Sequence, residues 1–246
     1  MAEWTTKAAA VVEDGVSDSP SSHPQGARPG FPLICGVDEA GRGPLMGPLV
    51  VAGIAVEKPE WLADIGVKDS KKLTPKRRED LAGKIRQFCN IEVVQIPAAR
   101  IDAMRKEMTM NELEVRAFAT VIERLQPVEA YLDAADTREE YFGAEVAKLV
   151  PFPFKVVSEH KADAKYPVVS AASIIAKTVR DAEMRKISDE LGENAGSGYP
   201  SDPVTMAFVR RWMKRTGAPP PYTRLSWETV ANLREEKSIK KLEGFS

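Results

Sequence analysis

Two adjacent carboxylates, Asp38 and Glu39, close an apolar run and are followed at once by Gly41, Arg42, Gly43 and Pro44. Charge at the end of a buried strand is costly unless a metal or a cation offsets it, so the pair is a candidate metal-binding site. On this segment alone, a solvent-exposed strand end with a charged loop fits equally well. Neighbouring residues of a regular strand face opposite sides. Both carboxylates therefore serve one site only if the chain bends, which Gly41 and Gly43 permit. The same glycines would let backbone amides approach a sugar or phosphate closely. Asp133 ends a second short run, Tyr131-Leu132-Asp133, and Asp163 follows a third within His160-Lys161-Ala162-Asp163-Ala164-Lys165. Carboxylates at several strand ends gather on one sheet edge in open α/β folds. Oxygen donors without a Cys or His cluster suit Mg²⁺ or Mn²⁺ rather than Zn²⁺. A pair of such ions would activate a water and stabilise the leaving oxygen in phosphodiester hydrolysis. Asp136, nearby, reads as structural, a cap for the next helix.

Ser170, Ser173 and Lys177 recur at i, i+3 and i+7, which puts them on one helical face. Hydroxyls and a lysine near a helix start suit phosphate, although by pattern alone serines packed on a sheet and a Lys177–Asp181 pair are favoured. The chain has only two histidines, His23 and His160, and no convincing Ser or Cys nucleophile motif, so triad hydrolysis is poorly supported. Cys35 and Cys89 have no metal-ligand neighbours and read as small buried hydrophobes in a reducing compartment, which predicts a cytoplasmic protein. Net charge is −1, a weak argument against a nucleic-acid partner. Two basic clusters oppose it: Lys68, Lys71, Lys72, Lys76, Arg77 and Arg78, then Arg210, Arg211, Lys214 and Arg215. Such clusters are a footprint of phosphate contact, and also of solvated helix faces.

The elements that must position these residues follow from periodicity. Residues 1–30, rich in Ser, Pro, Ala and Gly, read as a disordered leader. Short apolar runs at Phe31–Val37 and Leu49–Val56 read as buried strands, and Ile91–Ile96, Ala130–Asp133 and Phe154–Ser158 as three more. Thr74-Pro75 opens a helix to about Phe88, and a capping box of Thr109 and Glu112 opens one through Leu125. Further helices are expected at Thr137–Leu149, Val168–Leu191, from Asp202-Pro203 to before Gly217, and after Ser226, with His160–Lys165 a polar loop. The order predicts an α/β fold: a mixed five-stranded sheet flanked by helices, with a C-terminal helical extension. No run of apolar residues is long enough for a membrane span.

Taken together, GVDEAGRGPLMGP, KDSKKLTPKRRE, the Asp133 strand, KADAKYPVVSAASIIAKTVRD and GSGYPSDP resemble ribonuclease HII in order and spacing, over about residues 33–232. GSGYPSDP and RLSWETV look like the archaeal and eukaryotic branch, and the single-chain archaeal type is favoured. The resemblance implies a ribonuclease H-like catalytic domain over 31–192 and a helical extension and tail over 193–246. It implies an endoribonuclease that cuts the RNA strand of RNA–DNA hybrids, and single ribonucleotides in duplex DNA, leaving 3′-hydroxyl and 5′-phosphate ends. Asp38, Glu39, Asp133 and Asp163 would be the catalytic metal ligands for Mg²⁺ or Mn²⁺. Gly41, Arg42 and Gly43 would read the 2′-hydroxyl at an RNA–DNA junction, Tyr199 would pack on the neighbouring deoxyribose, and Lys71, Ser173 and Lys177 would contact the backbone. A monomer is the family expectation.

The tail Ile239–Ser246 places Leu242 and Phe245 at the spacing of a sliding-clamp peptide, with Ile239 where Gln is expected and Ser246 in place of the second aromatic. A frayed amphipathic end explains the same residues. Two other functions compete. A resolvase acting on branched DNA would share the fold, but Gly41-Arg42-Gly43 and Tyr199 argue for 2′-hydroxyl reading. A catalytically silent nucleic-acid binder would gain nothing from four carboxylates facing phosphates.

Overall fold

The computed structural model describes residues 32–67, 73–136 and 138–243, with side chains as far as residue 235. The apolar, β-branched runs form β1 (Ile34–Ala40) and β2 (Leu49–Val56), antiparallel, with Val37 opposite Gly53 and Asp38 opposite Ala52. There follow α1 (Glu60–Asp64), α2 (Pro75–Phe88), β3 (Asn90–Ile96) and α3 (Ala98–Met104). Thr74 starts α2 as expected, its hydroxyl accepting the Arg77 amide at 3.3 Å. The Thr109–Glu112 capping box is present at the head of α4 (Met110–Leu125), and Gln126, in the left-handed region, ends that helix before Pro127.

The chain continues through β4 (Glu129–Asp133), α5 (Glu139–Leu149), β5 (Lys155–Glu159), α6 (Ala162–Lys165) and α7 (Pro167–Leu191). Then come α8 (Pro203–Thr216), capped by Asp202 and ended at Gly217, and α9 (Glu228–Glu243). The sheet order is β3-β2-β1-β4-β5, with β1, β4 and β5 parallel, so the mixed five-stranded sheet flanked by helices is observed.

Four details differ from the reading of the sequence. The first strand starts at Ile34, later than expected. The short helices α1 and α3 go unheralded, because five and seven residues are too few to show a 3.6-residue period. The polar segment after β5 contains the one-turn helix α6. The last helix begins at Glu228, two residues after Ser226. The Ser226 amide and hydroxyl are taken instead by the Asp102 carboxylate, at 3.0 and 2.6 Å.

By proximity the chain forms two compact units. Of the described residues, one takes in those up to Ala40 with those of Val50–Gln95 and Thr109–Val179, and the other those of Gly41–Leu49, Ile96–Met108 and from Arg180 on. In the first, helices cover both sheet faces. A Cβ on Gly36 would lie 2.3 Å from the Val168 backbone, so β1 touches the start of α7 directly. A Cβ on Gly53 would meet Val121 of α4 at 2.2 Å on the other face. The second unit has its own core of Leu45, Met46, Met184, Phe208, Val209 and Met213. No helix among the described residues is long and apolar enough to cross a membrane.

Candidate active site

Strand register builds the site. Val37 of β1 pairs with Leu132 of the parallel β4, so Asp38 and Asp133 each stand one residue further along adjacent strands. Alternation puts Asp38 on the same sheet face as Gly36, the face against α7. Asp163 arrives from β5 through Lys161, whose φ of 55° turns the chain sharply into α6. The turn is tied to β4: the Ala162 amide donates to Asp133 Oδ1 at 3.1 Å. One oxygen each from Asp38, Asp133 and Asp163 lies within 4.8 Å of the others.

Asp38 and Asp163 are each only 5% exposed. Burial, then the Asp133 charge, push the Asp38 carboxyl up to about 6, while Ser173, Lys177 and the Glu39 amide pull the other way. Lys177 Nζ donates to Ser173 Oγ at 2.5 Å, and Ser173 hydrogen-bonds Asp38, so the lysine acts on the carboxylate directly by charge and through the hydroxyl. Three oxygen-donor carboxylates held against their mutual repulsion, with no His or Cys among them, fit a hard divalent cation.

Glu39 is not in this cluster. β1 runs regularly through Ala40, with Glu39 paired to Val51, so the expected bend does not occur and Glu39 lies on the opposite strand face from Asp38. The helical face of Ser170, Ser173 and Lys177 divides: Ser170 Oγ donates to the Val67 carbonyl and is structural. Asp136 accepts the Arg138 amide at 3.0 Å and the Asn111 side chain at 2.6 Å, but it does not cap α5 as expected: the N-cap is Arg138, with no side-chain cap.

Gly41, Arg42, Gly43 and Tyr199, expected to contact substrate, lie in the second unit. Gly41 has a φ of +92°, and a Cβ there would come within 2.5 Å of Arg180 Nε and the Pro48 carbonyl. Gly43 is exposed, and a Cβ there meets nothing within 4 Å. Tyr199 lies beneath the Arg180 guanidinium at 4.9 Å, in a loop fixed by Asp202, which accepts the Ser197 and Val204 amides at 2.7 and 2.9 Å. Sequence reasoning missed the buried Arg180 and Arg224, because a lone arginine carries no periodic signal. Lys71 falls outside the described residues, as do Lys68, Lys72 and Phe245, and no side chain is described for Leu242. In the second basic cluster, Arg211 and Arg215 pair with Glu193 at 3.4 and 2.7 Å.

The Ribonuclease HII family model matches residues 35–230. A ribonuclease HII from Methanoregula boonei is 46% identical over 213 residues, 87% of this chain and 100% of that protein. The solved PCNA:RNase HII complex of Archaeoglobus fulgidus is similar at a TM-score of 0.77 and 43% identity, covering 82% of this chain and 96% of that one. Ribonuclease H2 from Pyrococcus horikoshii gives a TM-score of 0.77 at 42% identity, covering 83% and 98%.

Proposed function

The chain belongs to the ribonuclease HII family, divalent-metal-dependent endoribonucleases acting on RNA in RNA–DNA hybrids, and from there we propose that it also cuts DNA duplexes at single embedded ribonucleotides. Cleavage leaves 3′-hydroxyl and 5′-phosphate ends. The observation that carries the reading is the convergence of Asp38, Asp133 and Asp163 at the ends of three neighbouring chain segments.

These three aspartates would hold Mg²⁺ or Mn²⁺; Glu39, on the other strand face, would join them only if the strand end turned. The ion supplies an activated water and charge stabilisation at the leaving oxygen. Lys177 and Ser173 favour the charged form of Asp38, and with Lys71 they would contact the phosphate backbone. The backbone of Gly41, Arg42 and Gly43 follows Glu39 by two residues and would read the 2′-hydroxyl, while Tyr199 packs on the adjoining deoxyribose. The catalytic domain is assigned to 31–192 and the helical extension and tail to 193–246. The enzyme works as a monomer in the cytoplasm, a reducing compartment in keeping with the free, buried Cys35 and Cys89. The Archaeoglobus relative was solved with PCNA, and in this chain Leu242 and Phe245 would anchor the tail on such a clamp.

The test is a labelled DNA duplex carrying one ribonucleotide, with all-DNA and long-hybrid controls, in Mg²⁺, Mn²⁺ or EDTA. Metal-dependent cutting on the 5′ side of the ribonucleotide, with all-DNA untouched, is expected. Cutting of the long hybrid alone would overturn the embedded-ribonucleotide reading.

A further inference from the structure

Arg224 is fully buried and its planar fork is spent on three backbone carbonyls of one turn. Nη2 donates to Gly41 O at 2.6 Å, Nη1 to Arg42 O at 3.0 Å, and Nε to Gly47 O at 3.0 Å. Trp227, whose ring lies 4.9 Å beneath the guanidinium, donates its indole N–H to Gly43 O at 3.3 Å. All three carbonyls of Gly41-Arg42-Gly43 are thus held from one side. The holding segment is itself pinned: Asp102 of α3 accepts the Leu225 and Ser226 amides at 2.7 and 3.0 Å.

In a trans peptide the C=O and the N–H of one plane point in opposite directions. Fixing Gly41 O toward Arg224 therefore turns the Arg42 N–H away from it, and fixing Arg42 O does the same for the Gly43 N–H. We propose that Arg224 is a positioning residue for junction reading, aiming the Arg42 and Gly43 amides at the sugar hydroxyl they recognise. This rests on the reading above, that the turn recognises the 2′-hydroxyl. Burial, reinforced by the neighbouring Arg180, lowers the Arg224 pKa to about 9, so it still carries its charge at neutral pH. A second positive charge behind the turn favours the polyanion. Lysine cannot substitute, because a single ammonium does not reproduce three in-plane donors.

The experiment compares the full-length protein with its Arg224→Lys and Trp227→Phe variants; phenylalanine keeps an aromatic ring and loses the donor. Each is given, in Mg²⁺, a duplex with one ribonucleotide, a DNA duplex with a short ribonucleotide run, and a long hybrid. Cut positions and kcat/KM are measured, and thermal unfolding shows which variants are folded at the assay temperature. Expected is a spread of cut positions and a fall of about tenfold or more in the ratio of single-ribonucleotide to hybrid kcat/KM. Equal loss on every substrate with cut positions preserved would overturn the proposal, leaving Arg224 a purely structural residue. If Arg224→Lys unfolds, Trp227→Phe decides by the same readout. A wild-type protein that cuts with no positional preference would instead overturn the junction reading itself.

Discussion

Asp38 and Asp133 are neighbours by strand register: each follows the matched Val37–Leu132 pair by one residue, on the same sheet face. Their proximity is built into the sheet and does not depend on long, mobile side chains.

The folded protein therefore holds like charges together, and substitution should move activity and stability in opposite directions. Asp38→Asn is expected to lower cleavage by ~100-fold or more, since outer-shell changes alone cost 10–100-fold, while hybrid binding is retained. In EDTA the same variant should unfold at a higher temperature than wild type, because the cost of burying the charge, and then repulsion with Asp133, is relieved. A lower unfolding temperature would mean that Asp38 stabilises the metal-free fold.

Acid titration follows from the same carboxyl. Its folded value, about 6, exceeds the ordinary 3.8. Its contribution to stability is fully present below about 4 and is lost as pH rises through about 6. Metal-free wild type should lose stability relative to Asp38→Asn over that window. The Mg²⁺-induced rise in unfolding temperature should grow over the same window, as protons stop competing with the cation. Differential scanning calorimetry with and without Mg²⁺ measures both.

Lys177→Met removes a positive charge that helps hold Asp38 ionised, and with it the donor to Ser173. The acid limb of the pH–rate profile should move to higher pH, and the rate at pH 7 should fall by about tenfold. A uniform drop with the limb unmoved would leave Lys177 a backbone contact only.

Two glycines of one turn should respond oppositely. Gly41→Ala meets Arg180 and the Pro48 carbonyl in a left-handed backbone and should cost about 1–2 kcal/mol or more of stability. Gly43→Ala meets nothing and should change stability by about 0.5 kcal/mol at most, while blunting selectivity for the ribonucleotide position. Denaturant melts paired with cleavage mapping separate the two effects.

Much of this was legible in the sequence because the signals are local. Thr74-Pro75, the Thr109–Glu112 box and Asp202-Pro203 each announce a helix start by chemistry within four residues. Asp38 and Asp133 were visible as carboxylates ending apolar runs, and Asp163 as one in the polar segment after the fifth strand. The placement of Glu39 was not, because whether β1 bends after Asp38 depends on its pairing with β2 through Ala40. Arg224 and Trp227 were invisible as supports of residues 41–43, lying about 180 residues away in the chain. The double role of Ser170 and Ser173, one bonded to Val67 O and one to Asp38, depends on what each faces rather than on their shared spacing.

The pairing of β1 with β4 also fixes when the chain can become a nuclease. Leu132 lies 95 residues beyond its partner Val37. At about 5–20 residues per second during synthesis, Asp38 waits several seconds for Asp133 to be made, and longer for Asp163. Until then the β1–β2 hairpin carries a lone aspartate with no partners for an ion. The three carboxylates of the cluster are all present only once Asp163 has been made, so the cluster cannot form before about two-thirds of the chain exists.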